Sequence, residues 1–144
     1  GGLRTPIMVR WPRKVEPRRD ESTPVSSADL APTVLKACGL APVPEMQGID
    51  LLDSEALRRR KAIFGSVHAH DADDYMQPAS NLLYRWGIDG WWKLILPNAQ
   101  LLPKEKPELY DLQNDPLEKM NLATERPEQV EKLRAEIDAW WPGR

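Results

Sequence analysis

The sequence predicts an α+β fold: a small antiparallel sheet of about four strands, packed against a C-terminal amphipathic helix and preceded by a strand-helix remnant. Three observations carry this. Residues 62–112 hold short apolar runs separated by turn residues, with Asp89-Gly90 as a two-residue hairpin signal. Residues 124–141 set Val130, Leu133, Ile137 and Trp140/Trp141 at helical spacing. Residues 3–38 read as a strand and then a helix, with no sequence neighbour to pair that strand.

Taken in order, Leu3, Ile7, Val9 and Trp11 predict a strand over 3–11, with Pro6 favouring an edge or a bulge because it lacks an amide donor. Residues 12–24 are charged and proline-rich and read as a loop. Ser26, Ser27 and Asp29 are helix-start residues. Pro32 is tolerated only in a first turn, which places the helix start near Ala31, after a short separate turn. Leu30, Val34 and Cys38 fall at i, i+4 and i+8, with Ala31 and Leu35 beside them, and predict its apolar face. Gly39 is placed to end it in a left-handed conformation.

A soft boundary falls near Asp53, giving segments 1–53 and 54–144. Ser54–Lys61 predicts a short helix and Ala62–His68 a strand. Ala69–Ser80 is polar and predicts a surface loop. Asn81–Ile88 and Trp91–Leu96 predict the two arms of a hairpin, and Glu108–Leu112 a fourth strand. In the last helix Thr124 is the expected cap, Pro127 sits early enough to be harmless, and Glu128–Lys132 makes an i, i+4 pair.

Composition excludes several classes. At 144 residues there is room for one real core and not for two large domains. A net charge of -2 gives no basic field for nucleic acid and no general pull toward a membrane surface. No apolar run approaches the ~20 residues that cross a bilayer. One cysteine excludes an internal disulfide and a multi-cysteine zinc site. No signal peptide is visible at the N-terminus, which leaves the compartment open.

Few residues offer chemistry. His68-Ala69-His70-Asp71-Ala72-Asp73-Asp74 combines imidazole and carboxylate, which are ligands for a divalent metal, but its spacing matches no defined metal motif, and acidic loops are commonly just solvated. A substrate-facing role for His68 or His70 is favoured over a metal role. Arg58-Arg59-Arg60-Lys61 cannot converge on one anion, because consecutive helical side chains diverge; it reads as a wet helix face. Cys38, on an apolar stripe at a helix C-terminus, reads as core packing rather than a nucleophile. Trp86, Trp91 and Trp92 flank the hairpin turn and can stack a sugar ring or fill a core. Adjacent Trp91 and Trp92 face opposite sides, so one is expected inside and the other partly exposed. Trp140 and Trp141 read as packing residues, and Arg4 as half of a structural pair.

The ordered segments resemble a family. Gly1-Gly2-Leu3-Arg4-Thr5-Pro6 through Trp11-Pro12 resembles the Gly-Gly-x-Arg-x-Pro-…-Trp-Pro-Gly segment of sulfatases, with Arg13 at the usual glycine. Asp29-Leu30-Ala31-Pro32-Thr33 is similar to the family's Asp-φ-x-Pro-Thr helix (φ apolar), and Gly48-Ile49-Asp50-Leu51 to the turn that follows it. Gly90-Trp91-Trp92-Lys93-Leu94 resembles its C-terminal hairpin. Leu109-Tyr110-Asp111-Leu112, Asp115-Pro116-Leu117-Glu118 and Asn121-Leu122 resemble its Leu-Tyr-Asp-Leu-…-Asp-Pro-x-Glu-x-x-Asn-Leu ending.

The resemblance covers essentially the whole chain. It implies a sulfuric ester hydrolase of the alkaline-phosphatase-like superfamily, represented by the end of its large α/β domain (1–53) and its C-terminal subdomain (54–144). Calcium and formylglycine are implied for the full-length parent and for no residue here. Cys38-Gly39-Leu40-Ala41-Pro42 is not the formylglycine motif, and the family's active-site lysine normally lies just upstream of the paired glycines. The expectation is therefore a fragment inactive alone, contributing cleft wall and stability. Catalytic and metal residues are absent from it, and His68, His70 and Trp91 are its candidate substrate contacts. The implied partners are the rest of the sulfatase chain and a sulfated small molecule or glycan, with self-association through exposed core surface. A periplasmic or secreted setting fits the family. Two alternatives stand: a sugar- or protein-binding module using the hairpin tryptophans, and a metallo-hydrolase built on the His/Asp loop.

Overall fold

The computed structural model describes residues 5–71, 74 and 76–141. Leu3, Arg4 and the paired glycines, with Ala72 and Asp73 of the acidic loop, lie outside the described residues. The chain divides into two compact units between Ile63 and Phe64. The expected boundary at Asp53 lies ten residues before that division, with the helix Ser54–Arg59 between them.

In the first unit, a 3-10 turn over Ser27–Asp29 leads into α1 (Leu30–Ala37). The start follows from local chemistry: Ser26 accepts from the Ala28 amide, and Asp29 accepts from the Ser26 amide in a capping box. Gly39 closes the helix at φ 77°. α2 (Ser54–Arg59) is capped by Asp53, which accepts from the Glu55 and Ala56 amides.

Two expectations about this unit fail. Residues 5–11 form no strand, and the sheet's order β1-β2-β3-β4 leaves them no partner among the described residues. Strand pattern alone does not make a ladder; the amides need acceptors. The second failure is the face of α1. Leu30 and Val34 are exposed, Val34 by 59%, and Cys38 is exposed too. The face turned inward is Asp29, Pro32 and Thr33. A fully bonded polar group at Asp29 holds the helix the other way round, so Cys38 is not core packing.

From Phe64 on, the second unit carries a four-stranded antiparallel sheet, whose first strand opens two residues earlier: β1 (Ala62–His68), β2 (Leu82–Asp89), β3 (Trp92–Pro97) and β4 (Glu108–Asp111), in that spatial order. One face is covered by α3 (Pro127–Trp140). Gly87, Leu94 and Leu109 are register partners across β2, β3 and β4. Leu94 and Leu109 join Leu96, Val130, Leu133 and Ile137 in the core, with Phe64, Trp92, Leu122 and Ala123 packed on it. Gly87 is required there: a Cβ would lie 2.9 Å from Phe64 and 3.0 Å from Ile137. Phe64 stacks on Trp140 at 5.7 Å, which ties β1 to the end of α3.

The hairpin turn sits one residue later than expected. Asp89 pairs with Trp92, so Gly90 and Trp91 are the central residues, and Gly90 takes the positive φ of 56°. Asp89 stays in the strand, where its carboxylate accepts from Lys132 of α3 at 2.5 Å. Lys132 thus pairs with Asp89, and more loosely with Glu136 at 4.0 Å, rather than with the expected Glu128 among the described residues. Thr124 does not cap α3. The helix begins at Pro127, with Arg126 in the capping position and no side-chain cap.

Candidate functional site

Two ends of the sheet hold the residues singled out in the sequence. His68 ends β1. Its Nδ1 lies 3.3 Å from Asn81 Oδ1 and its Nε2 lies 3.1 Å from Ser66 Oγ. Its ring stacks on Trp141, with centroids 6.0 Å apart. Asn81 is buried and also bonds Ala69 twice: its carbonyl accepts from the Ala69 amide at 2.8 Å, and its Nδ2 donates to the Ala69 carbonyl at 3.2 Å. His70 follows directly and is fully exposed, with Asp71 at 3.4 Å.

Trp91 is at the other end, in the turn after β2, with 37% of its surface exposed. Trp92 packs on the core instead, so the expected inside-outside split of the pair holds. β2 has 8 residues. At ~3.3 Å per residue, roughly 25 Å of strand separates the Asn81–His68 end from Trp91. The structure therefore brings His68 and His70 together and leaves Trp91 apart. Trp86 is spent on packing: a Cβ on Gly65 would meet its ring at 2.3 Å, so the indole packs against β1 at that glycine.

The basic run diverges as its geometry demands: Arg58, Arg59 and Lys61 form the expected wet face, and Arg60 alone departs from it. Arg59 pairs with Glu55 on the surface, and Arg58 donates to the Ser54 carbonyl. Arg60 turns inward and grips Asp29 with both nitrogens, at 3.0 and 2.8 Å. Asp29, fully buried, also accepts from the amides of Ser26 and Ile49, both at 2.8 Å. Thr33 Oγ1 donates to the Asp29 carbonyl at 2.6 Å and accepts from the Leu51 amide at 2.8 Å. Gly48 lets these backbones meet: a Cβ there would sit 2.1 Å from the Ala28 oxygen.

A second polar knot joins the hairpin to the final loop. Lys93, buried on β3, donates to Glu118 at 2.5 Å. Asp115 accepts from the Lys119 and Met120 amides. Asn121 Oδ1 accepts from the amides of Leu109 and Ala123, which extends the edge of β4. Tyr110 donates to Glu108 at 2.7 Å. Burial, reinforced by that carboxylate, pushes the Tyr110 phenol up to about 12. On the surface, the Asn114 side chain holds the Asp111 carboxyl below its ordinary range, and the backbone amides of Thr23 and Ser22 bring Asp20 to about 2.

Sequence reasoning missed Asn81, Ser66, the Asp29–Arg60 pair and the Lys93–Glu118 pair. Each joins residues 13 to 31 apart or sits beside a residue that is. Only Asp29 carried a local signal, as a capping residue. Among the described residues no group of three His, Cys, Asp or Glu could hold a metal ion.

A depression of about 530 Å³ also opens in the first unit, lined by Ile7, Val9, Trp11, Val25, Leu51 and Leu57 among others.

Comparison with known proteins bears on this geometry. The family model described as N-sulphoglucosamine sulphohydrolase, C-terminal, matches residues 1–140. An ulvan-active sulfatase of Formosa agariphila is 29% identical, covering 96% of this chain and 29% of the relative. An N-acetylgalactosamine-6-O-sulfatase of Bacteroides thetaiotaomicron is 30% identical, covering 92% and 26%. A solved Bacteroides thetaiotaomicron structure from work on glycosaminoglycan metabolism aligns with a TM-score of 0.66 at 28% identity, over 86% of this chain and 28% of that one. Another solved chain, bound to D-glucosamine-2-N,6-O-disulfate, aligns with a TM-score of 0.57 over 80% of this chain and 23% of that one; at 21% identity it shows the fold alone. The chain spans under a third of the length of the relatives it matches. Matched over residues 1–140 by that family model, the chain belongs to the sulfatase family and represents its C-terminal portion.

Proposed function

We propose that this chain is scaffold and one wall of the substrate cleft in a sulfatase, and that it is inactive alone. The observation that carries this is where the signature residues are spent. Asp29, Thr33, Gly48, Lys93, Asp115, Glu118 and Asn121 all serve internal bonds or close backbone contacts. A side chain whose donors or acceptors are committed inside the fold is not free to bind a sulfate ester. The chemistry then belongs to the remainder of the parent polypeptide, where the family's calcium and formylglycine reside.

A sulfated sugar is the ligand class we favour. Supporting it are the N-acetylgalactosamine-6-O-sulfatase relative and the neighbour bound to a disulfated glucosamine. The His68–His70 end is the proposed cleft-facing end. His70 is the exposed cationic-capable side chain there, and an imidazolium can donate to a sulfate oxygen. The purified chain should turn over no aryl sulfate, and measurable turnover would overthrow the scaffold role. In the full parent, His70→Ala should raise KM several-fold with kcat nearly constant, the pattern of lost ground-state binding. Unchanged KM would remove His70 from the cleft.

Exposure of Trp91 supports a second reading, a sugar-binding surface at the hairpin turn. Glycan binding by the chain that disappears in Trp91→Ala would favour it over the first.

A further inference from the structure

We propose that Asn81 is the positioning residue of this end of the sheet: it locks His68 as the Nδ1–H tautomer and leaves His70 as the imidazole presented to an anionic ligand. The part concerning the ligand rests on the cleft-wall reading above; the tautomer does not.

The inference follows from counting donors. Asn81 Nδ2 is committed to the Ala69 carbonyl at 3.2 Å, so the amide oxygen is the atom that faces His68. An oxygen can only accept. Nδ1 must therefore carry the proton, or two lone pairs would face each other at 3.3 Å. In the neutral ring Nε2 is then bare, and the Ser66 hydroxyl, 3.1 Å away and free to rotate, donates to it. Flipping the Asn81 amide does not escape this, because its oxygen would then face the Ala69 carbonyl oxygen. Trp141 stacks on the ring and restricts its rotation. Both nitrogens of His68 are thus satisfied within the protein, and neither can donate to a sulfate without breaking a bond. His68 is a strut.

Asn81 also fixes where the next residues go. It is 8% exposed and bonds Ala69 through both backbone and side chain. Ala69 is the residue before His70, so one buried amide sets both the His68 ring and the exit direction of the chain toward His70. The local pattern offered no hint of this, because Asn81 is thirteen residues from His68.

Nuclear magnetic resonance of the 144-residue chain, labelled with 15N at histidine, reads the tautomer directly. The chain has 2 histidines, and a His70→Gln variant assigns them. At pH ~9, well above the ordinary imidazole pKa of ~6.5, His68 Nδ1 should resonate as a protonated nitrogen and Nε2 as a bare one. His70 should show averaged values. Ser66→Ala should preserve the Nδ1–H form. Asn81→Ala should shift both His68 nitrogens toward the averaged values of His70. An Nε2–H form in the parent chain overturns the proposal, as does an unchanged tautomer in folded Asn81→Ala. If Asn81→Ala does not fold, the parent and Ser66→Ala spectra still decide. The KM of His70→Ala in the full enzyme tests the cleft reading separately, so failure of one is distinguishable from failure of the other.

Discussion

Arg60→Ala is the sharpest test of how the first unit holds together. The guanidinium is 10% exposed and makes two bonds to a carboxylate that is 0% exposed. Removing it leaves the Asp29 charge buried, with only the Ser26 and Ile49 amides to compensate. Breaking a buried ion pair from one side costs about 3–5 kcal/mol. At ~0.05–0.15 kcal/mol per residue, a segment of this length holds a total of roughly 3–9 kcal/mol. The loss is therefore comparable with everything that keeps the unit folded. Hydrogen exchange should show it first at the Ile49 and Leu51 amides, whose acceptors are Asp29 and Thr33. Protection there should fall by at least a hundredfold, while Leu94 and Leu109 in the second unit keep theirs. Asp29→Ala combined with Arg60→Ala should cost clearly less than the two single changes added, because no charge is stranded. A loss below ~1 kcal/mol in Arg60→Ala, with protection intact, would refute the claim that this pair is a structural centre.

Gly48→Ala should be more damaging than Gly65→Ala, because its Cβ meets the Ala28 backbone oxygen at 2.1 Å whereas Gly65 meets the Trp86 ring at 2.3 Å, and a side chain can yield; urea midpoints compare them. Ile137→Ala should cost ~2–5 kcal/mol by thermal or urea unfolding, since the side chain is fully buried against Gly87 and Leu94's layer. Tyr110 makes stability fall at high pH. Its folded value of about 12 lies above the ordinary 10, so its contribution is complete below 10 and is lost as pH rises toward 12. Urea unfolding across that window should show the decline, and Tyr110→Phe should remove it. Hydrogen exchange over residues 5–35 should be faster than in the sheet, given exposed Met8, Val9, Leu30 and Val34; uniformly slow exchange in a monomer would contradict the open-surface account.

What was legible in the sequence was local. The Ser26/Asp29 box, Pro32 in a first turn, Gly39 at positive φ, and the alternation in β1 to β4 need only a few neighbouring residues. β1 was read to the residue. The failures are decided at a distance. A strand over 3–11 depends on partners that the pattern cannot supply. The hairpin turn falls one residue later than the Asp-Gly signal, with Asp89 paired to Trp92 and bonded to Lys132, 43 residues on. Thr124 looked like a cap, yet the Leu122 carbonyl accepts from the Glu125 and Arg126 amides and delays the helix. The candidate site was half legible: two histidines and a loop could be seen, but not Asn81 as the amide that aims them.

The inverted face of α1 shows polar bonds, rather than apolar spacing, setting which side of a helix turns inward. Leu30 and Val34 suggested a core-facing stripe by spacing alone. The polar positions beside them, Asp29 and Thr33, instead take the inside, because a buried carboxylate with four donors can organise three separate backbone segments at once. Apolar contacts would tolerate sliding; a bidentate arginine and two amides at 2.8 Å do not. The same logic recurs at Lys93–Glu118 and at Asn121, where polar side chains pin a strand edge to a loop that has no regular structure. These Asp, Lys, Glu and Asn side chains all have bonding partners inside the chain. In this chain they fix backbone register, and their substitution should be read out as lost protection and lowered unfolding midpoints before any change in turnover by the parent enzyme.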